Sequence, residues 1–137
     1  MIPKLLILAS ALIIAALGIA HLFITFYGPK LRPRDAELEA RLKAVSPIIT
    51  SQTTMWKAWV GFNASHSFGA ILFGAVYGYL ALAHSDLLFQ SAFLGGLGAL
   101  LLLGYIILGK LYWFSVPFRG IALASICYAS GFVLSLV

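Results

Sequence analysis

Residues 5–27 read LLILASALIIAALGIAHLFITFY, an apolar run without a charged side chain. About 20 mainly apolar residues cross the hydrocarbon core of a bilayer, so this stretch predicts a membrane span over about 5–27. Lys4 ahead of an apolar run, with small Gly18 and Ala20 further along, is also how a cleavable signal segment begins. The pattern continues through Leu22, Phe23, Ile24 and Phe26, which favours a retained span.

The rest of the chain has the same character. Of 137 residues, 62% are hydrophobic and 9% charged, and the mean hydropathy is +1.02. Soluble domains run at roughly 45–50% apolar and about 25% charged. A water-soluble fold of this size has too little interior to hide the excess, so lipid must solvate it. Further spans are expected over about 55–83, 87–108 and 120–137. The expected fold is all-α: one integral membrane domain over 1–137, built as a four-helix bundle. Cys127 is the only cysteine; it excludes an intrachain disulfide, an iron–sulfur cluster and a CxxC centre, and reads as an inert thiol within the last span.

Between the first two spans lies a polar linker, Gly28 to Thr54. Pro29 and Pro33 stop the first helix. Arg34 to Val45 then reads as a short interfacial helix, with Leu38, Leu42 and Val45 on one face and Glu37, Glu39, Arg41 and Lys43 as its polar side chains. Pro47 ends it, and Ser51, Thr53 and Thr54 offer caps for the next helix. His84-Ser85-Asp86 reads as a tight turn with His84 facing water, and Lys110 to Arg119 as a short aromatic loop.

Charge predicts orientation. Lys30, Arg32, Arg34, Arg41, Lys43, Lys57, Lys110 and Arg119 fall on one side of the spans and Lys4 alone on the other. The positive-inside rule makes the first side cytoplasmic, with the 28–54 loop there and both termini outside. Trp56, Trp59 and Trp113 all fall at that interface. The net charge of +5 therefore points to membrane lipid as partner; with no basic stripe on a soluble surface, nucleic acid is not expected.

Small residues recur at helix-packing intervals: Gly61, Ser65 and Gly69 on the second span; Gly95, Gly96 and Gly98 on the third; Gly120, Ala124, Cys127 and Gly131 on the fourth. Such rows let helices approach closely in lipid.

The stretch with chemistry is WKAWVGFNASHS, residues 56–67. On a helix Trp59, Asn63, His66, Ala70 and Tyr77 share one face, bordered by Ser67, while Gly61 and Ser65 point nearly opposite. At about 1.5 Å per residue, Asn63 lies roughly 10 Å and His66 roughly 15 Å below the Trp56 interface, and His21 roughly 9 Å below the same surface. Antiparallel neighbours could bring His21, Asn63 and His66 together. Polar groups in hydrocarbon are costly and face the bundle interior. A ligand-binding cluster of His21, Asn63, His66, Ser67, Trp59 and Tyr77 is one reading, and a purely structural hydrogen-bond network is the other. Two histidines on two spans could also hold a haem axially, although no other haem signal accompanies them. No metal site is expected, because two imidazoles without a nearby carboxylate or thiol underfill a tetrahedral shell. Asp86 falls on the far surface and Asp35, Glu37 and Glu39 in the interfacial helix, so no Ser-His-Asp set forms. His66 could still act as a general base on a membrane-dissolved substrate. At the rim, Lys57, Lys110, Tyr112, Trp113 and Arg119 could anchor the bundle or receive an anionic headgroup.

The segment TMWKAWVGFNASHSFG (54–69), with YWFSVPFRG (112–120), resembles an uncharacterised family of small bacterial four-span membrane proteins. That resemblance covers nearly the whole chain and implies a multi-pass protein of a bacterial-type inner membrane. It brings no activity. The architecture also loosely resembles the MAPEG superfamily of four-span, trimeric, glutathione-dependent membrane enzymes. Their second span carries an Arg-Ala…Asn-x-x-Glu pattern, echoed here by Lys57-Ala58 and Asn63, with Lys57 in place of the arginine and His66 in place of the carboxylate. Three functions stay open: a pocket for a lipophilic or amphipathic ligand, an accessory or assembly subunit of a membrane complex, and a MAPEG-like glutathione-dependent or isomerase-like enzyme. A homo-oligomer fits any of them.

Overall fold

The computed structural model describes residues 1–136; the last residue of the fourth expected span, at 137, lies outside them. The described residues form six helices and no strand: α1 (Ile2–Phe26), α2 (Ala36–Ala44), α3 (Met55–Ala83), α4 (Ser85–Gln90), α5 (Ala92–Tyr112) and α6 (Ser115–Leu134). Helix accounts for 81% of the chain. α1, α3, α5 and α6 are each long and apolar enough to cross a membrane. The chain is an all-α, multi-pass membrane protein.

The chain divides into two compact units, one of Met1–Leu17 with Ala70 onward and one of Gly18–Gly69. In the first, parts of all four long helices pack as a bundle. α1 gives Ile7, Ala11 and Ile14, one stripe at helical spacing and each at most 1% exposed; α3 gives Phe73, Tyr77 and Leu80, and α6 gives Ile121, Ala124 and Tyr128. Glycine sets how closely these helices meet. A Cβ on Gly74 would lie 2.5 Å from the Ala15 Cβ and 2.7 Å from the Ala11 carbonyl oxygen, so α3 touches the α1 backbone there. Gly98 leaves room for two phenol rings: the Tyr77 hydroxyl donates to the Leu94 carbonyl at 2.7 Å, and the Tyr128 hydroxyl to the Gly95 carbonyl at 3.0 Å. Tyr77 also stacks on Phe73, with ring centroids 4.6 Å apart.

The boundaries depart from expectation where capping residues intervene. The expected third span from Leu87 is broken in two. α4 occupies the place of the tight turn, with Ser85 and Leu88 buried, and Ser91 then takes extended backbone and accepts the Leu94 amide at 3.2 Å, which starts α5 at Ala92. The aromatic loop shrinks to Trp113 and Phe114, because α5 continues to Tyr112 and α6 begins at Ser115. Pro117 sits in the first turn of α6, where its missing N–H has no helical acceptor to lose. His84 is exposed as expected, and its Nε2 lies 3.1 Å from the Tyr79 hydroxyl.

Two of the three small-residue rows pack. Gly95 and Gly98 meet Phe132 and the two tyrosines, while Gly120 and Gly131 meet Leu17 and Ile7. The row on α3 does not: Gly61, Ser65 and Gly69 are exposed, and a Cβ on Gly61 would meet nothing within 4 Å.

The second unit joins the end of α1, α2 and the first half of α3. Gly28 takes a left-handed conformation (φ 86°) at the exit of α1. Asp35 caps α2, accepting from the amides of Glu37 at 2.9 Å and Leu38 at 3.3 Å, so the helix starts at Ala36 rather than Arg34. The Met55 amide donates to the Val45 carbonyl at 2.8 Å, tying the end of α2 to the start of α3. Thr54 caps α3 by accepting from the Lys57 amide at 3.3 Å.

Two glycines test the packing. Gly98→Ala should destabilise the bundle by about 1–3 kcal/mol, since its methyl must displace two phenol rings. Gly96→Ala, in open space, should be neutral or stabilising by up to about 1 kcal/mol. Reversible unfolding in mixed micelles reads both, and equal effects would mean that Gly98 is not a contact point.

Candidate functional site

In the Gly18–Gly69 unit the polar residues of α1 and α3 converge. His21 Nε2 lies 3.0 Å from Asn63 Oδ1. The His21 and His66 rings stand edge to face, centroids 5.6 Å apart. The Asn63 amide nitrogen donates to the Trp59 carbonyl at 2.8 Å. That carbonyl can only accept, which fixes the amide orientation and leaves Oδ1 for His21. The His21 Nε2 must therefore carry the proton and donate, and in the neutral ring Nδ1 is the acceptor.

The neighbouring hydroxyls are held by their own helices. Thr25 Oγ1 donates to the His21 carbonyl at 2.7 Å, Ser67 Oγ to the Asn63 carbonyl at 2.9 Å, and Ser65 Oγ to the Phe62 carbonyl at 3.0 Å. Back-bonding over three or four residues satisfies a hydroxyl in hydrocarbon without a second helix. His21 and Asn63, in contrast, join their polar atoms across the α1–α3 gap.

One helical turn nearer the loop, a cleft of about 220 Å³ opens beside this cluster. Ile24, Thr25, Phe26 and Gly28 form one wall, Leu31 and Arg32 the rim, and Trp56, Trp59 and Val60 the other wall. The Trp59 indole N–H donates to the Leu31 carbonyl at 3.2 Å, which pins the rim to α3. Arg32 Nη1 is 3.8 Å from Glu39 Oε1, while Lys43 Nζ holds that same oxygen at 2.5 Å. The Lys43 contact keeps the Glu39 carboxyl below its ordinary range, with a smaller contribution from Arg32. Lys43 also lies over the Trp56 ring, 5.4 Å from its centroid.

Of the residues expected to share a ligand site, His21, Asn63, His66, Ser67 and Trp59 belong to this unit. Tyr77 belongs to the aromatic core of the bundle, since its helix-face spacing continues past the length of the loop unit. Of the rim residues, Lys57 stands at the start of α3, whereas Lys110 and Tyr112 end α5, Trp113 lies on the α5–α6 connection and Arg119 is near the start of α6. There Lys110 Nζ lies 5.8 Å from the Phe118 ring centroid, and Trp113 packs near Tyr105. Sequence reasoning missed Arg32, Thr25 and the Leu31 carbonyl as parts of a site. Their only signal was a cation a few residues beyond the first span, which orientation alone explained.

Axial ligation of a haem by two histidines needs one ring nitrogen of each on opposite sides of the iron, and His21 Nε2 is engaged by Asn63. Among the described residues, no group of three His, Cys, Asp or Glu side chains converges.

Replacing Asn63 by Leu should cost about 0.5–2 kcal/mol, the range for an interhelical hydrogen bond in a membrane protein. It should also release His21 from its Nε2–H tautomer. Nitrogen-15 imidazole spectra of the wild type should show one tautomer at His21. A tautomer mixture in the wild type would contradict the hydrogen-bond assignment.

No family model, no curated protein and no solved structure matches the chain.

Proposed function

We propose that this is a multi-pass protein of a bacterial-type inner membrane whose His21–Asn63–His66 cluster binds a lipophilic or amphipathic ligand. The observation that carries the reading is the convergence of two imidazoles and one carboxamide from two spans beside a cleft. Ionisable side chains within spans are costly and mark ligand or proton pathways. Neutral imidazoles can donate to and accept from a ligand carbonyl or hydroxyl, and His66 is a group able to move a proton if the ligand is turned over.

In this reading the 28–54 loop is cytoplasmic and both termini lie outside, by the excess of Lys and Arg on the loop side. α2 rests at the interface: Leu38 and Val45 are about half exposed, and no residue of α2 is buried by the chain. Lys57, Lys110, Tyr112, Trp113 and Arg119 anchor the loop side against anionic lipid.

A second reading has its own observation. The exposed Gly61–Ser65–Gly69 row is a packing surface left open, as an accessory or assembly subunit, or a homo-oligomer, would carry. The MAPEG-like reading requires glutathione and a trimer. Both polar ends of Asn63, the residue that echoes that pattern, are already engaged.

Gentle purification followed by native mass spectrometry and an absorption spectrum tests all three. The expected result is a retained small amphiphile, lost in His66→Ala at unchanged unfolding midpoint. A bare wild-type chain, or a variant that keeps the ligand, would sink the ligand reading. A stoichiometric protein partner would favour the accessory subunit, and a trimer carrying glutathione the enzyme. For orientation, Ser51→Cys in a Cys127→Ser background should react with a membrane-impermeant maleimide in inverted vesicles and not in intact cells. The opposite pattern would reverse the topology.

A further inference from the structure

We propose that the cleft at the loop end of α1 and α3 seats the phosphate head of an anionic amphiphile, with Arg32 as the group that recognises it. This rests on the ligand reading above and names the chemistry of the ligand. Its apolar part would lie along the cleft wall toward His21 and Asn63.

Four observations carry it. The cleft is of headgroup size, about 220 Å³, and mixes one guanidinium and one hydroxyl with two indoles. Indoles at that level belong to the zone where headgroups meet hydrocarbon. Arg32 is held in place through its backbone: its amide donates to the Pro29 carbonyl at 3.0 Å, and the carbonyl of neighbouring Leu31 is clamped by Trp59. The guanidinium itself is only loosely engaged. Its ion-pair partner Glu39 is 3.8 Å away through an oxygen that Lys43 already holds, and the Arg32 side chain is 53% exposed. An incoming phosphate would exchange a long, shared contact for a charge-assisted fork. Finally, Ile24, Phe26 and Val60 give the cleft walls an apolar share beside the polar groups, which a free inorganic anion would leave uncovered. An amphiphile satisfies both ends.

The site differs from the expected rim of Lys57, Lys110, Tyr112, Trp113 and Arg119 in using one arginine fixed by a folded loop. Arg34, two residues on, lies outside the cleft lining and serves as the control.

The test uses the full chain in micelles with Trp113→Phe as background, so that Trp56 and Trp59 alone report. Phosphatidylglycerol with brominated chains should quench their fluorescence at about tenfold lower mole fraction than phosphatidylcholine with the same chains, the scale of one charge-assisted contact. Arg32→Gln should bring the two lipids within about twofold of each other. Arg32→Lys should keep part of the preference, and Arg34→Gln should keep all of it. Glu39→Gln, which releases the guanidinium, should preserve or sharpen it. Equal quenching by both lipids in the wild type, or equal loss in Arg34→Gln and Arg32→Gln, overturns the proposal. Displacement of the lipid by sodium phosphate at matched ionic strength also overturns it, in favour of a free-anion site. The two readings fail separately. A wild type that retains its native ligand through His66 yet shows no lipid preference removes only the Arg32 assignment. A wild type with the preference but no ligand dependence on His66 removes only the cluster.

Discussion

In hydrocarbon a polar atom has no water to fall back on, and this chain meets that constraint in two ways. Several polar side chains within its spans bond the carbonyl one turn back in their own helix, as Thr25, Ser67 and Ser125 do. These bonds ask nothing of a second helix and leave its position open. A few reach across. His21 to Asn63 joins α1 to α3 in the loop unit, and Tyr77 and Tyr128 bond the Leu94 and Gly95 carbonyls of α5 in the bundle. Those crossing bonds specify which helix faces which, because a mismatched pairing would strand the same atoms in lipid.

Packing in the bundle follows from the same solvent. Lipid drives helices together no more than it drives them apart, so contact depends on close fit. Gly74 brings α3 onto the α1 backbone, and Gly98 makes space for the two tyrosines that cap the first turn of α5. The α3 segment of the loop unit is built differently. Its Gly61, Ser65 and Gly69 are exposed, while Ala64 and Ser67 are buried and Asn63 and His66 partly so.

Within the loop unit the chemistry is graded with depth. Cations and acids of α2 and the linker lie at the loop end, with Lys43 and Arg32 sharing Glu39. Two indoles come next, and then the imidazoles and carboxamide. Charge, aromatic ring and hydrogen-bonding side chain thus follow one another from the loop end into the span.

The amino-acid sequence by itself determined the membrane class, the number of spans and the bounds of α3, because apolar runs of that length have no other stable solvent. It also placed His21 and Asn63 at similar depth with His66 about one turn deeper, since helical rise is nearly constant. Periodicity could not say where one unit's face ends and another's begins, so Tyr77 shared a helical face with His66 and yet belongs to the bundle core. Nor could it locate the break at Ser91, where a hydroxyl competes with the helix for the Leu94 amide, or tell the packed glycine rows from the open one, since both have the same spacing. The cleft and the place of Arg32 were decided only by tertiary structure. They depend on a left-handed turn at Gly28 and a hydrogen bond from Trp59 to a carbonyl 28 residues away in the chain, and contacts at that separation leave no local mark in a sequence.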